Sequence, residues 1–206
     1  MPTDPATSPL PVAPSPASSD DAAEILHLRD RLVDWMQDRG ISQWQHGDVS
    51  EEMVRRQAER GQWWLIRSDP AGLIAAVRIL SADPQIWGEP DQAAVYVHGL
   101  MVNRGYAGHG LGRQLLDWAA EHGRHHGAEV LRLDCVATNP GLCDYYLEQG
   151  FTRVGTKELP PQWRSAALFE RSNLIGRTKI RMVLARGSCN GHRVQKIVIV
   201  TGMTRH

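Results

Sequence analysis

The sequence predicts an α/β domain, and three observations predict it. Residues 95–119, VYVHGLMVNRGYAGHGLGRQLLDWA, pass from a β-branched run through a glycine-dense turn straight into an amphipathic helix. A second β-branched run, Val130 to Val136, is followed by Asn139, Pro140 and a short helical segment closed by Gly150. At 206 residues the chain is long enough to bury a sizeable core as one domain.

Taken in order, Met1 to Ser19 is rich in Pro, Ala, Ser and Thr and reads as a mobile lead. Only Leu10–Ala13 offers a strand there, and Pro11 and Pro14 confine it to a sheet edge. Asp21 and Glu24 have capping-box spacing and open a helix with Ile25, Leu28, Leu32 and Trp35 on one face, ended by Gly40. A short helix follows Ser50. Trp63–Ser68 and Leu73–Leu80 form a hairpin around Asp69-Pro70-Ala71-Gly72. Ala93–Val102 is the strand that enters the glycine turn, Leu111, Leu115 and Trp118 mark the inner face of the helix after it, and Phe151–Lys157 and Ser165–Glu170 complete the sheet. The domain runs over 20–175, leaving 176–206 as a basic extension.

The net charge of zero conceals a division. Residues 1–170 carry 15 basic and 23 acidic side chains, whereas 171–206 carry 8 basic and none acidic. The extension lacks the aromatic or Gly/Arg patterning of a nucleic-acid arm, so no nucleic-acid partner is expected. An apolar run, Ile197 to Val200, leaves open whether it is an added strand or an appendage. Cys135, Cys143 and Cys189 form no C-x-x-C pair, which fits reduced thiols in a cytoplasmic protein. No window approaches the roughly 18 apolar residues that span a bilayer.

Chemistry concentrates in the glycine turn. Gly108, Gly110 and Gly112 alternate just where a helix begins. Such a turn leaves backbone N–H groups free at the positive end of the helix dipole, open to an anionic ligand. The spacing is not the G-x-G-x-x-G of a dinucleotide fold, and no Gly-Lys-Ser/Thr follows as in a P-loop. It resembles the acetyl-CoA loop of the GNAT acyltransferase superfamily, Arg/Gln-x-x-Gly-x-Gly/Ala. Gly110 and Gly112 take the glycine positions, and Ala107 stands where the family carries a basic or amide residue. Asn139 and the run Tyr146-Leu147-Glu148-Gln149-Gly150-Phe151 resemble the family's second hallmark, an Asn before a helix ending in Tyr-x-x-x-Gly-Phe.

That resemblance implies a GNAT fold, a mixed twisted β-sheet with helices on both faces, and direct acetyl transfer from acetyl-CoA to an amine without an acyl-enzyme. It assigns the pyrophosphate to backbone N–H groups around Ala107, Gly108, His109, Gly110, Leu111, Gly112 and Arg113. Met101 and Val102 would polarise the thioester carbonyl, and Asn139 would contact pantetheine or support the Tyr146 helix. Tyr146 takes the general-acid position. His98 lies where some relatives carry a basic His, on the face of Tyr96 and Leu100 by strand alternation. Asp134, on the strand that splays away, is a second base or orients substrate. Trp44, between the first two helices, is the candidate acceptor contact. His122 and His126 have metal-ligand spacing but no third ligand, so no metal is expected and the helix end reads as solvated. The implied function is N-acetylation of a small-molecule amine by a monomer or homodimer with no membrane partner. A protein or peptide N-acetyltransferase and a non-catalytic acyl-CoA-binding regulator are the alternatives.

Overall fold

Strand pairing begins at a serine and a proline. The computed structural model describes residues 13–89, 91–159 and 165–173, together with the backbone of Ser188–Cys189 and His192–Arg193. Strand β1 is Ser15–Pro16, antiparallel to Trp64 and Leu65, and the Ala17 N–H donates to the Trp63 carbonyl at 2.9 Å. The expected strand at Leu10–Ala13 therefore falls further along the chain, inside the segment read as a lead. Its residues 10–12 lie outside the described part. Pro16 is tolerated because β1 is an edge of the sheet.

Helix α1 (Ala22–Gln37) buries Ile25, Leu28, Leu32, Val33 and Met36. Its cap differs from the expected Asp21–Glu24 box. Asp21 reaches back instead, accepting from the Ser18 N–H at 2.7 Å and the Ser18 hydroxyl at 2.9 Å. Glu24 is drawn away to the sheet, where it accepts from the Leu73 N–H at 3.0 Å and pairs with Arg67. Trp35 lies at the rim, between the guanidinium groups of Arg39 and Arg104. Helix α2 (Glu51–Glu59) starts at Ser50, whose side chain accepts from the Met53 N–H at 3.1 Å.

The hairpin of β2 (Trp63–Ser68) and β3 (Gly72–Leu80) follows as expected. One turn of helix, α3 (Pro84–Trp87), lies in the connection to β4 (Ala94–Val102) and had no counterpart in the sequence reading. Then come α4 (Leu111–His125), β5 (Val130–Val136), α5 (Pro140–Glu148), β6 (Thr152–Lys157) and β7 (Ala166–Ser172). The seven strands lie in the order β1-β2-β3-β4-β5-β7-β6. All neighbours are antiparallel except β4 and β5, whose parallel pairing requires the crossover that α4 provides.

Two cores result, one on each face. Ile66, Ile74, Val97, Leu131 and Leu133 pack with Leu111, Leu115 and Leu116 under α4 and α5. Leu65, Leu73, Ala76 and Met101 pack with Ile25, Leu28 and Val54 under α1 and α2. The segment from Leu174 is a separate unit, described only by the antiparallel pair β8 (Ser188–Cys189) and β9 (His192–Arg193). The apolar run Ile197–Val200 lies outside the described residues.

Candidate active site

The site is built where two parallel strands part. β4 and β5 are paired from Ala94/Val130 to Val97/Leu133 and no further. Beyond that point β4 stays with β3 up to Val102, while β5 stays with β7 up to Val136. A wedge-shaped gap opens between them, where neither strand's backbone pairs with the other. The Asn103 N–H donates to Ile74 of β3 at 2.8 Å, so by alternation the Val102 N–H points the other way, into the gap. Met101, one residue back, turns its N–H toward β3 and its side chain into the core under α1 and α2.

A bulge sets the phase of β4. His98 pairs with Arg78 and Met101 with Ala76, so Gly99 and Leu100 together oppose Val77. Gly99 takes φ +53°, and a Cβ there would come within 2.8 Å of the Trp63 ring. Strict alternation put His98 on one face with both Tyr96 and Leu100. The bulge keeps His98 with Tyr96 but turns Leu100 to the α4 and α5 side.

At the mouth of the gap lies the turn into α4. Gly110 is left-handed at φ +74°, and the first intrahelical bond runs from the Gln114 N–H to Gly110 O at 3.0 Å. The N–H groups of Leu111, Gly112 and Arg113 therefore have no acceptor in the helix. Gly108, His109 and Gly110 are exposed, Ala107 is half-buried and Leu111 offers only its backbone because its side chain is core. The Arg113 side chain is 74% exposed, its Nε 3.7 Å from an Asp117 carboxylate oxygen. The Tyr145 hydroxyl lies against Gly112, so closely that a Cβ there would sit 2.5 Å from it.

Asn139 caps α5, accepting from the Leu142 N–H at 3.2 Å, and thereby fixes the helix that carries Tyr146. Tyr146 is buried against Phe169 and Phe151, with ring centroids 5.6 and 5.9 Å away. Burial, reinforced by Cys135 and Asp134 nearby, holds its phenol pKa well above the ordinary tyrosine range. Cys135 and Cys143, which form no C-x-x-C pair, bring their sulfurs to 3.7 Å as buried free thiols.

On the α1 and α2 face, His98 stands between two carboxylates. Its Nε2 is 3.2 Å from Asp83 Oδ2 and its Nδ1 is 4.0 Å from Asp134 Oδ1. Burial raises the pKa of Asp134; His98 pulls it down and Asp83 pushes it up again. The three side chains offer ligand atoms within 4.8 Å of one another. Yet the carboxylates approach opposite nitrogens of one ring, whereas a metal takes a histidine through one nitrogen with ligands converging at about 2.0–2.2 Å. The arrangement suits a proton better than an ion. Beside it, Arg132 is buried on Glu170 at 2.9 Å and Asp91 at 2.7 Å, beneath Trp87.

The sequence reading missed Asp83. Its Asp-Pro start to a helical turn was legible, but nothing local says that this turn folds back onto His98. It also missed Gln43, whose Oε1 accepts from the Val136 N–H at 3.3 Å and the Asn139 amide at 3.5 Å. That contact draws the α1–α2 connection over the end of β5, beside a cavity of about 250 Å³ lined by residues 40–42 and 138–140. Trp44 is half-buried against the core under α1 and α2, 5.6 Å from the Arg29 guanidinium. His122, read as part of a solvated helix end, instead stacks on Trp118 and meets Trp64 edge-on, and burial lowers its pKa.

A sheet that opens between two parallel strands, with a glycine turn and helix N-terminus at the opening, defines the class of acyl-CoA-dependent acyltransferases that the sequence motifs resemble. The model of the acetyltransferase (GNAT) family matches residues 29–151. The chain is 34% identical over 148 residues to YesJ of Bacillus subtilis (strain 168), an uncharacterized N-acetyltransferase, covering 68% of this chain and 81% of that protein. This chain therefore belongs to the GNAT family and is an N-acetyltransferase of that type. Among solved structures, a GNAT-family acetyltransferase from Listeria monocytogenes superposes with a TM-score of 0.66 at 24% identity, over 78% of this chain and 94% of that one. Salmonella typhimurium yncA, solved with its cofactor acetyl-CoA, gives 0.58 at 16% identity, over 80% and 95%. Among the described residues no helix is long and apolar enough to cross a membrane.

Proposed function

We propose that this chain transfers the acetyl group of acetyl-CoA directly to the primary amine of a small-molecule acceptor. The observation that carries the reading is the placement of His98 and the Tyr146 helix on either side of the gap between β4 and β5. The free N–H groups at the start of α4 fit a pyrophosphate, and Arg113 supplies the positive charge that Ala107 lacks. His98 takes a proton from the acceptor's ammonium. The amine nitrogen then bonds to the thioester carbon, and the Val102 N–H faces the oxyanion that forms. The carbon–sulfur bond breaks, the Tyr146 phenol protonates the departing thiolate, and the second proton shed by the nitrogen as the amide forms returns to the phenolate. Solved with acetyl-CoA, yncA shares the fold and supports the choice of co-substrate. The cysteines go with a reducing, cytoplasmic setting.

Calorimetry with CoA and acetyl-CoA tests binding. Micromolar affinity is expected, and ligand at 100 times its Kd stabilises the protein by about 2.7 kcal/mol. No heat and no thermal shift at millimolar CoA overturns the reading. A screen of amines, amino acids, aminoglycosides and peptides, read by free thiol release, identifies the acceptor. Turnover confined to peptides would replace the small-molecule reading.

A further inference from the structure

Asp83 is the least exposed member of the cluster it forms with His98 and Asp134, its side chain only 10% accessible, and it comes from the connection that holds α3. Its Oδ2 and the Nε2 of His98 are both fully buried. They lie 3.2 Å apart, and neither has a completed hydrogen bond. A buried polar atom without a partner is costly, so each is the other's remedy. Such contacts in free enzymes are often misaligned and tighten when substrate binds. The His98 ring keeps 25% of its surface open although Nε2 has none, which leaves the Nδ1 side for approach.

Resting on the acetyltransfer reading above, we propose that Asp83 is a positioning residue. It holds the Nε2–H of neutral His98, so that Nδ1 presents its lone pair to an acceptor ammonium seated between Nδ1 and Asp134. The 4.0 Å between Nδ1 and Asp134 Oδ1 is too long for a direct bond but fits one bridging nitrogen. A nitrogen about 2.8 Å from both atoms joins them at an angle of about 90°, close to what an ammonium offers. Asp134 Oδ1 is itself buried and unpaired. The charged groups around the ring divide the roles. Asp83 comes from the β3–β4 connection, and Asp134 comes from β5. Arg78, opposite His98 on β3, is engaged with Gln62 at 2.9 Å. The acceptor class that follows is a primary amine delivered as its ammonium. The proton passes from that nitrogen to Nδ1, giving an imidazolium held between two carboxylates, while the Nε2 proton stays where it is.

Long-range 1H–15N spectra of the uniformly labelled full chain read the tautomer without any substrate. Above the pH at which the ring is neutral, His98 is expected as the Nε2–H form. Asp83→Ala should switch it to Nδ1–H and lower kcat by about 10²-fold or more, with the KM for acetyl-CoA unchanged. Asp83→Asn, which keeps an acceptor oxygen, should recover the tautomer and part of the rate. Asp134→Asn should raise the KM for the amine at least tenfold while leaving the tautomer alone. A wild-type ring in the Nδ1–H form, or full turnover in Asp83→Ala, overturns the proposal. His98→Gln separates the two readings. If it is inactive while Asp83→Ala is not, the base stands and the positioning role falls; if it is fully active, the base assignment falls. Should Asp83→Ala fail to fold, the wild-type and Asp83→Asn spectra still decide.

Discussion

At the scale of single residues, Tyr146 and Asp134 have opposite relations to stability. Tyr146 packs on Phe151 and Phe169, and Phe fills the same volume, so Tyr146→Phe should melt like the parent. Its kcat should fall by about 10²-fold or more with CoA affinity retained, measured by calorimetry and initial rates. Because the phenol pKa is pushed up, the acid stays protonated through the alkaline range, and no loss of rate up to pH 10 should trace to it. Full turnover in the variant would make the phenol structural. Asp134 is a carboxylate whose pKa is raised by folding. Protonated, below its unfolded pKa, it costs the fold nothing. As pH rises through the folded value, the buried charge opposes folding. Asp134→Asn should therefore raise Tm at neutral pH, on the scale of about 0.5–2 kcal/mol seen for stabilising substitutions, and the gain should vanish in acid. A variant that melts below the parent at pH 7.5 would contradict this. Tyr146, Asp134 and His98 were candidates through the family resemblance and their places on the strands and helix beside the glycine turn. Asp83 was not, because its significance lies wholly in a contact between segments 15 residues apart.

At the scale of elements, the periods of the sequence named nearly every helix and strand, since most of them bury apolar residues at a regular spacing. β5 was read to the residue because its apolar run Val130, Leu131, Leu133 and Cys135 is buried. What escaped was set by competition between distant groups. Asp21-x-x-Glu24 has capping spacing, yet Glu24 gains more from Arg67 and the Leu73 N–H, so the box slides back to Ser18. At the Gly99 bulge the space for a Cβ is likewise taken by the ring of Trp63, on β2 beyond the paired β3. Gly123 offers a test of the same kind. An exposed helical glycine replaced by alanine gains about 1 kcal/mol in propensity. Here an added Cβ would overlap Val95 of β4, and overpacking typically costs about 1–3 kcal/mol. Gly123→Ala should lower the denaturation midpoint. Gly123→Ala combined with Val95→Ala should recover part of the loss, a coupling that a double-mutant cycle measures. An increase in stability for the single variant would mean that α4 is free to shift.

At the scale of the whole molecule, charge and site lie in different parts of the chain. Every residue given a catalytic or binding role here falls between Trp44 and Tyr146, in the unit that ends at Asn173. The 36 residues from Arg171 onward hold eight basic side chains and no acidic one. If the extension is an appendage, a chain ending at Gly176 should bind CoA and transfer acetyl groups as the full chain does. Its net charge should move from zero to about −7 through loss of Arg177, Lys179, Arg181, Arg186, Arg193, Lys196 and Arg205, weakening any non-specific binding to nucleic acid, an effect largest at low salt. The rival view makes Val194–Val200 an integral strand covering part of the core. Its removal would then expose apolar surface and abolish cooperative melting. Circular dichroism through a thermal ramp, with CoA calorimetry on the same sample, separates the two. Retained cooperativity and affinity would confirm the appendage, and a broad, CoA-insensitive transition would make the extension part of the fold.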